Sequence, residues 1–430
     1  MMKKIKTGGL HYAWWIVIAC ICMKIGSSAA VAAAMSNFIT PIVRDLGCEV
    51  SALTTFVSIE AVAMALMYTT ASKILTTRKI GRVMGIASIV ELGGLALMST
   101  YRSVPMFYFS GLLIGVAQAF TGFVAIPILL NMWFRKKAGT VLGVVVAVSG
   151  AAGILYNLLS AQLITAFGWR TAYLVLAAIG AVITLPAVFL IIKSPAEVGC
   201  LPYGAEEAGS DEPEKRADWA ASEWGLTRRQ AFSSLFLYVA WLACIMYSYG
   251  SGVSGYTATY ATMELGQSIN FGAYAGIALS IGTIVSSLIL GWINDRLGVR
   301  AGLVWGAVTT TLGYVLMLVS KANPLLVLPA AFTVGLGSSM YTVQCPLLAR
   351  SIVGVKHYSE IWSLMMMANS LIGGGLYSSI GLFYDKLGSY TGAFIMAIAL
   401  YVGALVVGAL AISLARRHKK AEEELLKQKL

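Results

Sequence analysis

Three side chains in this sequence place charge where charge is expensive. Lys24, Glu60 and Glu91 each lie inside a long apolar run. A charge at the centre of a bilayer costs ~2.5–3.5 kcal/mol or more unless it is paired or hydrated, so such a residue marks a function by default. At ~1.5 Å of helical rise per residue, Lys24 falls about 18 Å from Tyr12, Glu60 about 18 Å from Ser72, and Glu91 about 14 Å from Arg82. The three therefore share one level to within a helical turn. Lys24 is followed by Gly26, Ser27 and Ser28, which leave room beside an ammonium for an anionic ligand. Two readings of it stand: a cation that binds a substrate anion, or one half of a buried Lys24–Glu60 ion pair holding the first two spans. They are compatible if substrate or a proton breaks the pair. A carboxyl group away from water can exchange protons near neutral pH, which makes Glu60 a proton-coupling candidate. Glu91 is read as a hydrogen-bonded or ion-paired group with the same coupling chemistry open to it.

Uncharged hydrogen-bonding groups complete the candidate set. Gln118, Tyr247, Tyr341 and Asn369 lie within apolar runs and are read as substrate-binding residues. Ser338, Ser339, Gln344 and Tyr249 add polar groups nearby, whereas Tyr256 and Tyr260 read as anchors at a membrane interface. The eighteen methionines read as packing surface. Enzyme chemistry has no foothold. The three histidines (His11, His357, His418) show no metal-ligand spacing, and the six cysteines form no CxxC pair. No GxSxG, P-loop or HExxH is present. The expectation is a non-enzyme without cofactor or metal, driven by a gradient or by exchange.

The elements that carry these residues follow from composition. The 430 residues are 58% hydrophobic and 12% charged, with a mean hydropathy of +0.79. Soluble domains carry about 25% charged residues. Twelve apolar segments can cross a bilayer, at about 12–39, 51–72, 82–100, 105–131, 138–165, 171–192, 232–260, 270–292, 301–320, 324–349, 361–384 and 391–415. With the N-terminus inside, the cytoplasmic loops and tails hold 25 of the 31 Lys and Arg, and the outer loops hold five. That asymmetry predicts both termini in the cytoplasm of a multi-pass protein of the cytoplasmic (inner) membrane. It also explains the net charge of +12 without nucleic acid. The expected organisation is a six-helix bundle over 1–192, a polar cytoplasmic linker over 193–231, a second six-helix bundle over 232–415, and a tail over 416–430. The basic start of that tail suits anionic lipid headgroups.

The two halves repeat. Span 5 has Ala147, Ser149, Gly153, Leu155 and Tyr156; span 11 has Ala368, Ser370, Gly374, Leu376 and Tyr377, at an offset of 221. Pro127 in span 4 has a counterpart in Pro346 of span 10. Repeated halves with a site at mid-membrane are the architecture of rocking secondary transporters.

Between spans 8 and 9, Gly291, Asp295, Arg296, Gly298 and Arg300 form GxxxDRxGxR. This pattern resembles the gating loop of the major facilitator superfamily. The first-half counterpart keeps Lys79, Gly81 and Arg82, but Arg78 stands where that family has Asp. HYAWWIV at 11–17, WFRKKAG at 133–139 and GWRTAY at 168–173 resemble the oxalate/formate antiporter group, relatives of the monocarboxylate porters. The resemblance implies an all-α polytopic protein of twelve transmembrane helices in two pseudo-symmetric six-helix bundles. It implies that span 1 lines the cavity and that span 3 lies outside it. It implies a loop carboxylate and arginines that latch one state, with an Asp–Arg pair holding the loop against the next helix. It also implies a monomer in contact with membrane lipids that moves a mono- or dicarboxylate by proton symport or anion exchange. Members commonly carry a basic residue in span 8 or 11; here neither span has one. An exporter of amphipathic compounds and a non-transporting sensor remain as alternatives.

Overall fold

The computed structural model describes residues 6–7, 10–31, 38–205 and 225–429. Apolar runs of about 20 residues form helices in a bilayer because no water is present to satisfy a backbone left unpaired. Ten helices among the described residues are long and apolar enough to cross. One of them, Ala138–Ile191, holds two spans that part at Gly168, whose φ of 78° is open to glycine at little cost. Tyr358–Leu387 supplies the remaining crossing helix, with 30 residues. The count is the twelve predicted from the sequence.

Boundaries shift where local chemistry intervenes. Span 1 is helical over Tyr12–Val31 and helix resumes over Ile39–Leu46, while residues 32–37 of the segment expected over 12–39 lie outside the described residues. Span 2 extends to Thr77, five residues beyond Ser72. On either side of the linker, capping boxes at Ser194/Glu197 and Thr227/Gln230 start short helices. Residues 206–224 of that linker, and the side chains of Gly374 to Tyr377 in the repeat, lie outside the described residues.

By internal contacts the chain forms two units. The first comprises Met1–Arg135, Val148–Glu207 and Met366–Leu371, and the second Lys136–Ala147, Ala208–Met365 and Ile372–Leu430. Within the first, Phe38 stacks on Tyr173 at 4.0 Å, and Trp169 meets Tyr173 edge-on at 6.0 Å. Within the second, Tyr260 meets Phe394 edge-on at 4.9 Å, and Tyr314 stacks on Phe394 at 5.4 Å. Tyr173 and Phe394 stand 221 residues apart, as do Trp169 and Tyr390, so the repeat extends to the aromatic core. Tyr260 is not an interfacial anchor. It is fully buried, and its hydroxyl bonds the Met317 carbonyl at 3.0 Å and Ser320 at 3.1 Å.

Each unit also closes on one carboxylate at the span ends away from the basic loops. In the first unit, Asp45 follows span 1 and accepts from Arg170 Nη1 at 2.6 Å and from Trp169 Nε1 at 3.3 Å. The same guanidinium donates to the Tyr101 carbonyl and lies 4.1 Å from the Trp169 ring. In the second unit, Glu264 ends span 7 and accepts from Lys321 Nζ at 2.8 Å, Ser389 Oγ at 2.6 Å and Tyr390 N–H at 2.6 Å. An acid following the first span in one half, and ending it in the other, thus gathers the connections between the third and fourth and the fifth and sixth spans. The two clasps differ in shelter: the Asp45 side chain is 44% exposed and Glu264 only 9%.

Close helix contacts in the second unit depend on glycine. A Cβ at Gly143 of span 5 would overlap the Ser287 carbonyl oxygen of span 8, and one at Gly291 would meet the Gly139 carbonyl oxygen at 2.5 Å. Gly153, although part of the repeat, has open space.

Two outcomes follow for the purified protein unfolded by heat in detergent. Glu264→Ala strands a buried N–H and an ammonium and is expected to cost ~1–3 kcal/mol. Asp45→Ala breaks an exposed pair and is expected to cost only ~0.2–1 kcal/mol; equal losses would contradict this ranking. Gly143→Ala is expected to lower the melting temperature, whereas Gly153→Ala leaves it unchanged or raises it by the ~1 kcal/mol helix preference of alanine.

Candidate functional site

Span 1 changes its winding at the residue that carries its charge. Tyr12–Met23 is α-helical, and Lys24–Ser28 forms one π turn. Such turns widen a helix locally and recur at functional sites. The turn packs closely on span 6. A Cβ at Gly26 would overlap Thr184 Oγ1, and one at Gly180 would meet the Gly26 carbonyl oxygen at 2.6 Å. Small residues let helices approach in a membrane. The turn leaves Lys24 half-buried, with Nζ 5.3 Å from the centre of the Phe123 ring.

The carboxylate that faces Lys24 electrostatically is Glu91. Glu91 is fully buried in span 3. Thr121 Oγ1 of span 4 donates to its Oε2 at 2.9 Å, whereas the Ser27 hydroxyl of the π turn donates to the Met23 carbonyl at 3.1 Å. Its Oε1 has no hydrogen-bond partner. Glu60 of span 2 is 6% exposed, its Oε2 also lacks a partner, and the charged group it faces is Glu91. Among the described residues no carboxylate oxygen comes within 4.0 Å of Lys24 Nζ, so a contact ion pair with Glu60 is absent. Sequence reasoning placed the three charges at one level but missed Thr121 and Phe123. Only their spacing from Gly122, where span 4 breaks, could have pointed to them.

The remaining candidates divide between the units. Gln118, half-buried in the first, precedes that break, and its carbonyl accepts from Gly122 N–H at 2.8 Å. Asn369 is buried and also belongs to the first unit. In the second unit Tyr247 is fully buried, edge-on to Tyr401 at 5.3 Å, and its hydroxyl has no hydrogen-bond partner. Tyr341 is half-buried in a second π turn, Met340–Gln344 of span 10. Gln344 serves structure instead: it accepts from Asn294 and donates to the Val299 carbonyl, both at 2.7 Å.

The loop residues take up distinct positions. Asp295 accepts from the N–H groups of Gly139 at 2.9 Å and Thr140 at 2.5 Å. It therefore caps the positive start of span 5, rather than pairing with Arg296 against the next helix. Arg296 lies 5.9 Å from the Trp292 ring, and Arg300 donates to Ser413 Oγ at 2.8 Å. Gly298 supplies the turn at φ 87°, and Gly291 the close approach described above. In the first unit, a Cβ at Gly81 would overlap the Ile192 carbonyl oxygen, while Arg82 is exposed.

Comparisons with known proteins agree with this architecture. The sequence profile of the Major Facilitator Superfamily matches residues 20–285 and 240–429. Monocarboxylate transporter 12 of Rattus norvegicus is 24% identical over 77% of this chain and 71% of its own length. An MFS-type efflux pump of Mycolicibacterium smegmatis is 25% identical over 65% of this chain and 63% of its own length. Among solved structures, a bacterial homologue of the iron transporter ferroportin in an outward-facing state aligns with a TM-score of 0.68 at 11% identity, covering 94% of this chain and all of that one. The fucose:proton symporter of E. coli aligns at 0.67 and 14% identity, covering 92% and 98%. At such identities the structures speak for the fold alone. The profile match over nearly the whole chain places this protein in the Major Facilitator Superfamily as a multi-pass membrane transporter resembling the monocarboxylate porters.

Proposed function

We propose that the protein moves a small organic anion, a mono- or dicarboxylate, across the cytoplasmic membrane by alternating access, through proton symport or anion exchange. The observation that carries this reading is Lys24. It is the single Lys or Arg at mid-depth of any span in the sequence. A π turn presents it half-exposed beside an aromatic ring, without a contact ion pair among the described residues. An ammonium held in this way keeps hydrogen-bond donors for a carboxylate, and charge-assisted bonds of that kind are the strong ones. The similarity to a monocarboxylate transporter supports the same substrate class. Two six-span bundles joined by the 193–231 linker, a monomeric state and cytoplasmic termini complete the proposal; the bias of Lys and Arg supports the orientation.

An exporter of amphipathic compounds is the second reading, favoured by the similarity to an efflux pump and by the buried aromatic surface around Tyr247. Counterflow in proteoliposomes separates the two. With a panel of radiolabelled carboxylates, the wild type is expected to exchange at least one. Lys24→Ala is expected to lose about tenfold or more of that exchange, because a hydrogen bond to a charged group is worth ~1.5–3 kcal/mol. Unchanged exchange in Lys24→Ala removes the ammonium from the substrate site. Exchange of amphipathic cations instead of carboxylates favours the exporter.

A further inference from the structure

We infer that Glu91 is the resting counter-ion of Lys24, and that the transported anion binds by taking its place electrostatically. The inference rests on the anion-transport reading and deepens it by naming a positioning residue. The sequence provides two acids and one base at this depth, all on the first three spans. The structure does not treat the two acids alike. Glu91 is fixed by Thr121 of span 4, two residues before Phe123, whose ring lies 5.3 Å from Lys24 Nζ, so span 4 brings this acid and the ammonium together. Glu60 faces only Glu91 among charged groups. Around this cluster, span 4 carries no acidic or basic residue, and span 6 carries only Arg170 at its far end. The one further titratable group that Lys24 senses is the buried thiol of Cys20.

The hydrogen bond from Thr121 leaves Glu91 Oε1 without a partner, and the ammonium stands off at more than contact distance. Lys24 is therefore neutralised at long range while its donors stay open over Phe123. A bound carboxylate occupies those donors and brings a second negative charge to the same ammonium. Glu91 does not follow, because Thr121 holds it. Cargo and counter-ion thus share one cation, which weakens cargo binding and speeds cargo release. Removing the counter-ion tightens the one and slows the other, since a change that favours the bound state lowers KM without raising turnover.

Two measurements test the assignment. In heat unfolding of the purified protein without ligand, Lys24→Met and Glu91→Gln are each expected to lower the melting temperature, and the double variant to lower it by less than their sum. Additive losses overturn the pairing. In proteoliposome counterflow with radiolabelled lactate, formate and oxalate as probes, Glu91→Gln is expected to lower KM about threefold or more and to lower the maximal rate, with Glu91→Asp restoring both towards wild type. Thr121→Val, which loosens Glu91 without removing it, is expected to change KM in the same direction by less. A raised KM in Glu91→Gln, or parameters unchanged from wild type, overturns the inference. If the wild type exchanges none of the probes while the melting temperatures remain non-additive, the counter-ion stands and the anion reading falls.

Discussion

The interior of a bilayer offers no water to a charge or to an unpaired backbone group, and the arrangement of this protein depends on that constraint. Fifty Lys, Arg, Asp and Glu are present, yet only three lie at mid-depth of a span. Because solvent cannot compensate them, compensation must come from neighbouring helices. Thr121 and the nearby ammonium do this for Glu91. The glycines on span 1 and span 6 matter for packing: without Cβ atoms at Gly26 and Gly180 the two helices approach closely.

The constraint also makes departures from regular helix informative. Interior breaks among the described residues fall at Lys24–Ser28 in span 1, around Gly122 in span 4, over Ser254–Glu264 in span 7 and at Met340–Gln344 in span 10. These are the first and fourth spans of each half. Irregular backbone at membrane depth is tolerated where it is buried in protein or lines a cavity, and discontinuous helices form the sites of many transporters. Lys24 and Tyr341 sit in two of these breaks, and Gln118 directly precedes a third. The breaks thus support the candidate residues independently of the side-chain chemistry that first drew attention to them.

Much of this was legible in the sequence because hydrophobicity and charge act over whole segments. Twelve apolar runs give twelve helices, and the Gly168 turn between spans 5 and 6 falls where two predicted runs part. The level shared by Lys24, Glu60 and Glu91 followed from counting residues. What could not be read is which helix turns which face to which neighbour. Counting placed Lys24 beside Glu60 and Glu91 alike; only packing of the π turn against span 6 and of span 3 against span 4 singles out Glu91. Asp295 reads as a loop charge, yet its acceptors serve N–H groups more than 150 residues away. Tyr260 read as an interfacial ring because tyrosines favour span ends, but its hydroxyl found Met317 and Ser320 inside the fold. In the sequence Arg170 and Lys321 enter only the count of loop cations and Asp45 and Glu264 belong to no motif, because their roles as clasps are tertiary.

Comparison of the two halves shows what the repeat preserves and what it leaves free. The aromatic positions 173 and 394, and 169 and 390, keep their place, and an acid at or just beyond the first span closes each unit. The donors to that acid are not conserved in kind. The first unit supplies a guanidinium and an indole; the second supplies an ammonium, a hydroxyl and a backbone N–H. At mid-depth the divergence is complete, since the first half carries one cation and two acids and the second carries tyrosines, serines and amides. Geometry under repeat symmetry is shared because both halves must pack six helices by the same rules. Charge is not shared, because a second ammonium in the same membrane plane would need a second set of buried compensating groups. Confining charge to one half is the less costly arrangement, because only that half must then supply the buried groups that compensate it.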